Sequence, residues 1–264
     1  MKIGIGITTW KRPEMFKKLL DKLKNLDDRF VFSLVFDGDK TNWDQYNLSS
    51  IYEDFPKKYR TYQYWVNAGV ARCKNKAINL LKDFEDVDYY FLLDDDIDIL
   101  DLSVFDRYIE MSQFTGLQHL MFLGIPPNKI TTTVMYSETQ GITINEHAQG
   151  AFMMFTEKHL DNIGDFDEKF HNALEHVDMT YRSYMSQNLP FWYFIDILGS
   201  EELLKEISPE STITNKDKYH LNLQKSAIHW IEKYGKSVAE TPRHGFTELI
   251  DRLKKIKDEN NIRS

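Results

Sequence analysis

The sequence predicts an α/β domain with a mostly parallel central sheet flanked by helices and a helical C-terminal part. Two observations carry this expectation. Through the first hundred residues, apolar runs of strand length alternate with helical stripes, the pattern of right-handed crossovers in a parallel sheet. The strand runs in that stretch also end abruptly in polar residues, at Thr8-Thr9, Asp37-Gly38-Asp39, Asn67-Ala68-Gly69 and Asp94-Asp95-Asp96. In a parallel sheet these ends converge on one edge, where open α/β sheets bind ligands. Loops are polar anyway, so one such end means little. Four together are harder to explain by solvation alone.

The elements follow in order. Ile3 to Ile7 alternates apolar residues with Gly4 and Gly6, which predicts a buried first strand with close backbone approach at the glycines. Pro13 suits the first turn of a helix. Met15, Phe16, Leu19, Leu20 and Leu23 then keep one helical face. Phe30 to Phe36 is a second strand. Thr41 to Arg60 lacks a clear period and reads as a short helix with a loop, and Tyr62 to Val66 as a third strand. Gly69 to Leu81 is a helix with Val70, Ala77, Ile78 and Leu81 inward. Tyr89 to Leu93 has the length and aromatic content of a buried strand.

After Asp98 the pattern changes. His119 to Ile125, Thr131 to Tyr136 and Gly141 to Ile144 read as shorter strands, and Gly150 to Phe155 as another apolar run. Thr156 is an N-cap for a short helix to Ile163, stopped by Gly164. Glu175 to Gln187 and Tyr219 to Tyr234 read as helices, and Phe191 to Ile197 as a late strand. Gly199 to Lys218, rich in Glu, Ser, Thr and Lys, predicts a mobile loop over a site. From Phe246, the residues Leu249, Ile250, Leu253 and Ile256 share a helix face. Packing on the body of the protein is the expected use of that face, with a membrane surface or a partner helix as the alternative.

Composition narrows the function. The chain of 264 residues fits one large domain or two small ones. A net charge of −8 argues against wholesale nucleic-acid binding through a basic surface. Cys73 is the single cysteine, so no intrachain disulfide forms, which fits a reducing compartment. The apolar run after Lys2 is too short for a signal peptide, and no stretch approaches the roughly 18 apolar residues of a membrane span. The expected location is the cytoplasm. There is no Cys/His zinc spacing, no P-loop and no Gly-x-Ser-x-Gly elbow.

The acidic triplet carries the most chemistry. Asp94, Asp95 and Asp96 repel one another unless something positive sits among them, and a hard divalent cation with oxygen ligands is the natural candidate. A solvated acidic loop is the alternative.

In order and spacing, these segments resemble the glycosyltransferases of the GT-A fold, and most nearly the large inverting group called family 2. The resemblance runs from Ile3 to about Gly235. Ile7-Thr8-Thr9-Trp10-Lys11-Arg12-Pro13 is similar to the family's first strand and Thr-rich nucleotide loop. Asp37-Gly38-Asp39 is similar to the acidic end of its second strand. The run from Asn67 to Asn75 fits its Asn-x-Gly-(five residues)-Asn signature, and Leu93-Asp94-Asp95-Asp96 its DxD metal motif. Gly150 to Phe155 resembles the acceptor-side strand. Phe166-Asp167-Glu168, then Glu175-His176-Val177-Asp178 and Arg182, resembles the "FDE…ED…R" block, and Lys233-Tyr234-Gly235 the terminal "KWG".

The resemblance implies a GT-A-like (Rossmann-like) fold, a nucleotide-sugar donor with a UDP-sugar favoured, Mn²⁺ or Mg²⁺, an acceptor hydroxyl, and inversion by a single in-line displacement. It divides one domain into a nucleotide-sugar-binding half (1–100), an acceptor-binding and catalytic half (101–240) and a C-terminal amphipathic helix (241–264). Thr8, Thr9, Arg12, Asp37, Asn67, Gly69, Lys74, Asp94 and Asp95 fall on the donor side, with Asp95 the structural member of its triplet. Asp96, with Asp94, is the candidate metal ligand, and His220 a further one. Glu175, His176 and Asp178 are the candidates for the catalytic base.

The chemistry fits these roles. A cation bridging the diphosphate offsets the charge that grows as the sugar leaves. Asp94 can serve the cation or reach the ribose or sugar. Asp37 can accept a pyrimidine N–H or a ribose hydroxyl, or cap a turn before Gly38. Arg12 and Lys74 are phosphate partners or exposed helix charges. The family usually has Arg at Lys74, so the bidentate fork is lost and the charge kept; Arg72 is a possible substitute. The family also has a carboxylate where this chain has His176, which can itself act as a base. Glu175 and Asp178 share a helix face while His176 points about 100° away from Glu175, so the three do not all face one acceptor, and Glu175 with His176 is the expected pair.

The acceptor is a glycan, a lipid-linked sugar, a protein or a modified DNA base. The lack of a membrane span argues against a processive polysaccharide synthase. Two rivals stand beside this reading. A nucleotidyltransferase of similar sheet topology also places acids at strand ends, although the Phe166 to Arg182 block speaks against it. A non-catalytic nucleotide-sugar-binding or scaffold protein on a degenerate GT-A fold is kept open by His176.

Overall fold

Strand β1 (Lys2–Thr9) lies inside a six-stranded sheet of order β3-β2-β1-β4-β9-β6. The computed structural model describes residues 1–38, 54–125, 129–130, 132–170, 172–186, 194–207, 216–241 and 246–263. Strands β2 (Phe30–Phe36), β3 (Lys58–Gln63) and β4 (Val87–Asp94) run parallel to β1. Strand β9 (Phe152–Thr156) is antiparallel to both β4 and β6 (His119–Met121), so it alone runs against the rest. The predicted mostly parallel α/β sheet is therefore present.

Helix α1 (Pro13–Leu23) starts on its proline and buries Phe16, Leu19, Leu20 and Leu23. Helix α2 (Val70–Lys82) packs against β1, β2 and β4. It comes so close to β1 that a Cβ on Gly6 would stand 2.9 Å from the Ala77 methyl and 2.8 Å from Leu92. Any side chain at Gly6 would push helix and sheet apart. On the other face, the Phe91 ring of β4 meets Phe105 and Tyr108 of α3 (Val104–Thr115) and Phe152 of β9, with centroids 4.9, 6.4 and 5.6 Å away. Burying one such ring contributes about 1.5–3 kcal/mol.

Two further β units flank the sheet. Strand β5 (Ile97–Ile99) follows the acidic triplet and pairs antiparallel with β11 (Leu204–Glu206). Strands β7 (Thr132–Met135), β8 (Gly141–Asn145) and β10 (Phe194–Ile197) form a three-stranded antiparallel sheet of order β10-β8-β7. Helix α4 (Glu157–Ile163) has the expected cap: the Thr156 hydroxyl accepts from the His159 N–H at 3.1 Å, and Gly164 takes φ +74°. Helices α5 (Glu175–Ser186), α6 (Lys216–Tyr234) and α7 (Phe246–Arg263) complete the chain. Leu249 and Leu253 of α7 are buried and the helix packs against α3 and β7, as its apolar face predicts.

Several boundaries differ from expectation. The third strand lies at Lys58–Gln63, not Tyr62–Val66. It is an edge strand with alternating exposure, so it needs no apolar run, whereas Trp65 and Val66 are exposed beyond it. The strand predicted over His119–Ile125 stops at Met121, because the Leu123 N–H turns to the Asp196 carboxylate at 2.9 Å. Helix α3 was not predicted: its buried residues, from Val104 and Phe105 to Met111 and Ser112, spread around too much of the helix to leave a one-sided stripe. The described residues of the loop expected over Gly199–Lys218 carry regular structure, with a 3₁₀ turn at Ser200–Glu202, strand β11 and the start of α6. Asp39, most of the Thr41–Arg60 segment, Thr131, Gln187, the first residues of the Phe191–Ile197 strand and residues 208–215 lie outside the described residues.

Candidate active site

Because β1 and β4 are parallel neighbours with Thr8 opposite Asp94, two of the polar strand ends meet side by side. The Thr8 hydroxyl donates to Asp94 Oδ1 at 3.1 Å, and the Thr9 hydroxyl to Asp95 Oδ2 at 2.6 Å. The chain turns at Asp95-Asp96 into β5, and the Asp96 carbonyl accepts from the Ile207 N–H at 2.9 Å. Asp95 and Asp96 are both buried.

Arg12 supplies the positive charge. Its Nη2 lies 2.5 Å from Asp95 Oδ1 and its Nη1 2.5 Å from Asp96 Oδ2. Burial pushes the Asp95 carboxyl up to about 7, against the pull of Arg12 and the Thr9 hydroxyl, with Asp96 and Asp94 adding to the rise. Burial likewise holds Asp94 above the ordinary carboxylate range; Lys74 and Arg12 oppose it, and Asp96 and Glu175 reinforce it.

Lys74 is not an exposed helix charge. It is 1% exposed, donates to the Gly150 carbonyl at 3.0 Å, and stands 3.7 Å from Asp94 Oδ1 and 3.7 Å from Glu175 Oε1. It thereby links the acidic triplet to the first residue of α5. Arg72 does not substitute for it: that guanidinium is exposed and paired with Glu168 at 2.8 Å. Asn75, the last residue of the Asn-x-Gly signature, donates to the Phe166 carbonyl at 2.9 Å and accepts the Phe166 N–H at 2.7 Å. This pair ties α2 to the "FDE" block.

Asp37 caps a turn, but a different one from that before Gly38. Its Oδ1 accepts the Ala68 N–H at 2.6 Å, and its Oδ2 accepts Asn67 Nδ2 at 2.8 Å and the Gly69 N–H at 3.2 Å. One buried carboxylate thus fixes the whole Asn67-Ala68-Gly69 turn into α2. Gly69 sits at φ +88°, in the region that favours glycine.

The three candidates for the base part company. Glu175 is buried, with His176 Nδ1 3.4 Å from its Oε1. Burial works against its charge, but the His176 hydrogen bond, His176 itself and Lys74 outweigh this and lower it to about 2. Its carboxylate is therefore ionised at neutral pH. The His176 ring lies over Gly150, where a Cβ would come within 2.7 Å of the imidazole Cγ. Asp178 faces elsewhere: its carboxylate takes Arg182 Nε at 2.9 Å, Lys233 Nζ at 2.7 Å and the Tyr234 hydroxyl at 2.6 Å. Asp167 joins the same network through His229 and Lys233, each at 2.9 Å. The "EHVD…R" and "KYG" segments thus meet as a clamp between α5 and α6, outside the strand-end cluster.

His220 is exposed on α6, and its side chain forms no hydrogen bond or ion pair with Asp94, Asp96 or any other described residue. Among the described residues no group of three or more His, Cys, Asp or Glu side chains is gathered as a metal site. A smaller donor set is present. Asp94 Oδ2 and Asp96 Oδ1 take no hydrogen bond from the described residues. Hard oxygens of this kind fit a cation that binds one or two carboxylates and completes its shell with substrate phosphates and water.

Sequence reasoning missed Glu206. Strand β11 sets it at the edge of the cluster, where burial pushes its carboxyl up and Asp96 adds to the rise, with Gln149 and Arg12 opposing it. Nothing in the sequence around Glu206 signals this, because the placement depends on the long-range pairing of β11 with β5.

A scan of protein-family models finds no match to the chain, and a search of curated proteins finds none either. Solved structures are similar. TarS 1–349 of S. aureus in complex with UDP superposes with a TM-score of 0.51 at 16% identity, over 70% of this chain and 56% of that one. The mannosyltransferase PcManGT from Pyrobaculum calidifontis, in complex with GDP-Man and Mn²⁺, gives 0.60 at 11% identity, over 97% and 69%. GalNAc-T7 with UDP, GalNAc and Mn²⁺ gives 0.59 at 7% identity, over 75% and 42%. The chain thus spans about half the length of the TarS 1–349 structure. At these identities the likeness is one of fold, and the fold is that of the GT-A glycosyltransferases.

Proposed function

We propose that the protein is a glycosyltransferase that moves a sugar from a nucleotide-sugar to an acceptor hydroxyl. One observation carries the reading: Lys74 brings Asp94 of the DxD segment and Glu175 of α5 to the same buried ammonium. A candidate donor-side acid and a candidate base thus stand at one point, as a displacement between donor and acceptor requires.

The roles follow from the contacts. The donor half, 1–100, holds the nucleotide-sugar against Thr8, Thr9 and the Asn67–Gly69 turn, with Arg12 and Lys74 supplying positive charge near the diphosphate. Asp37 acts on the nucleotide side through the turn it fixes. A UDP-sugar is favoured, since two of the similar structures hold UDP. Asp94 and Asp96 would hold Mn²⁺ or Mg²⁺, which offsets the charge growing on the departing diphosphate. The half from 101 to 240 presents the acceptor. Glu175, ionised and oriented by His176 and Lys74, takes the proton of the acceptor hydroxyl as its oxygen attacks the sugar carbon and the bond to the phosphate oxygen breaks. A single displacement of this kind inverts the configuration.

The test is a donor panel of UDP-glucose, UDP-galactose, UDP-GlcNAc and GDP-mannose, assayed for released nucleotide with and without Mn²⁺. The expected result is metal-dependent hydrolysis of one or more UDP-sugars, with Asp96→Ala abolishing metal-dependent donor binding. No hydrolysis with any donor, together with no metal-dependent nucleotide binding, would sink the reading.

A further inference from the structure

The acidic triplet already holds a cation of its own. The Arg12 guanidinium spans Asp95 and Asp96 with one nitrogen 2.5 Å from each. The backbone places it there: Lys11 sits at φ +59°, in the left-handed region, and Pro13 opens α1 immediately afterwards. A lysine in that region is uncommon, and such strain persists only where the surroundings impose it. We propose that Arg12 is a resident counter-ion that competes with the divalent cation for Asp96, so that the metal binds well only when a nucleoside diphosphate draws the guanidinium away. This rests on the glycosyltransferase reading above and adds an order of events to it.

Both competitors are attracted by the same oxygens. Asp94, Asp95 and Asp96 bring three carboxylates to two cations, Arg12 and, 3.7 Å from Asp94, Lys74, which Glu175 also shares, so the cluster is short of positive charge. Arg12 occupies only one oxygen of Asp96. A divalent ion arriving at the other oxygen would stand close to the guanidinium and be repelled by it. A diphosphate changes the balance, because it offers the guanidinium a bidentate partner of equal geometry. Metal and nucleotide then bind with positive coupling, which is reciprocal by thermodynamic necessity.

Calorimetric titration of the full chain with Mn²⁺, alone and with saturating UDP, tests this in the wild type, Arg12→Ala, Arg12→Gln and Asp96→Asn. The wild type should bind Mn²⁺ weakly alone and at least tenfold more tightly with UDP. Arg12→Ala and Arg12→Gln should bind Mn²⁺ alone at least tenfold more tightly than the wild type, gain little from UDP, and hold UDP itself less well. Asp96→Asn should lose Mn²⁺ in every case. Thermal melting of each variant checks that it is folded, and Arg12→Gln keeps much of the stem packing should Arg12→Ala melt early. If both Arg12 variants bind Mn²⁺ alone no better than the wild type, the competition is overturned while the glycosyltransferase reading stands. If the wild type binds no Mn²⁺ even with UDP, the metal-dependent reading fails and the competition with it.

Discussion

Lys74 Nζ and Glu175 Oε1 stand 3.7 Å apart in the interior, and neither side chain is more than 8% exposed. The pair joins the middle of α2 to the start of α5. Breaking a buried pair strands a charge, which costs about 3–5 kcal/mol, whereas removing both partners costs less. Lys74→Met and Glu175→Gln should therefore each destabilise strongly, and the double variant by less than their sum, with a coupling of about 1–3 kcal/mol. Urea denaturation of the four proteins measures this, and simple additivity would count against the pair.

Glu175 and Asp178 are three residues apart on one helix and should behave differently. Glu175→Gln should lower turnover by about 10²–10⁴-fold while UDP binding persists. Asp178→Asn should leave turnover of the folded protein within a few-fold and lower stability by about 1–3 kcal/mol, because the carboxylate charge facing Arg182 and Lys233 is lost and one of its two acceptor oxygens becomes an amide donor. His176→Ala should spare donor binding and cut turnover through the orientation of Glu175. Steady-state kinetics beside melting curves separate the three. A folded Asp178→Asn protein as inactive as Glu175→Gln would reassign the base.

Gly150 should tolerate no side chain. An alanine there would be strained at φ +75° and would press within 2.7 Å of the His176 ring. The expected cost is about 1–3 kcal/mol, with a drop in kcat as the imidazole moves off Glu175. Ser or Asn should fare no better. A Gly150→Ala variant with wild-type kcat would show that the position of His176 is unimportant.

His119 should stay neutral down to about pH 4. Burial lowers it to that value, with the ring stacked on Phe155 at 4.4 Å and its nitrogens on the Met154 carbonyl and the Thr180 hydroxyl. The unfolded chain takes up this proton near pH 6.5. The contribution of His119 to stability is thus complete above that pH and falls away as pH drops from 6.5 toward 4, by on the order of 3 kcal/mol. Asp196, pushed up to about 7 by burial against its hydrogen bonds, acts in the opposite sense over much of that range. The two contributions partly cancel, so ring ¹⁵N shifts of His119 are the cleaner measurement. A midpoint near 6.5 would contradict the burial argument.

Local signals in the chain determined much of this protein. Runs such as Phe30–Phe36 and Tyr89–Leu93 declare buried strands because both faces must be apolar, and Thr156 and Gly164 mark the ends of a helix through their own side-chain and backbone chemistry. The convergence of Thr8, Thr9 and Asp94–Asp96 was legible for the same reason: parallel strands put their polar ends on one edge. Tertiary structure decided what no local pattern encodes. It buried Lys74 between Asp94 and Glu175, turned Asp178 away to Lys233 and Tyr234, set Asp37 under the Asn67–Gly69 turn, and delivered Glu206 through the pairing of β11 with β5. Each of these depends on a partner distant in sequence. A charged residue looks the same in the sequence whether it meets water or another charge, and only the packing determines which it meets.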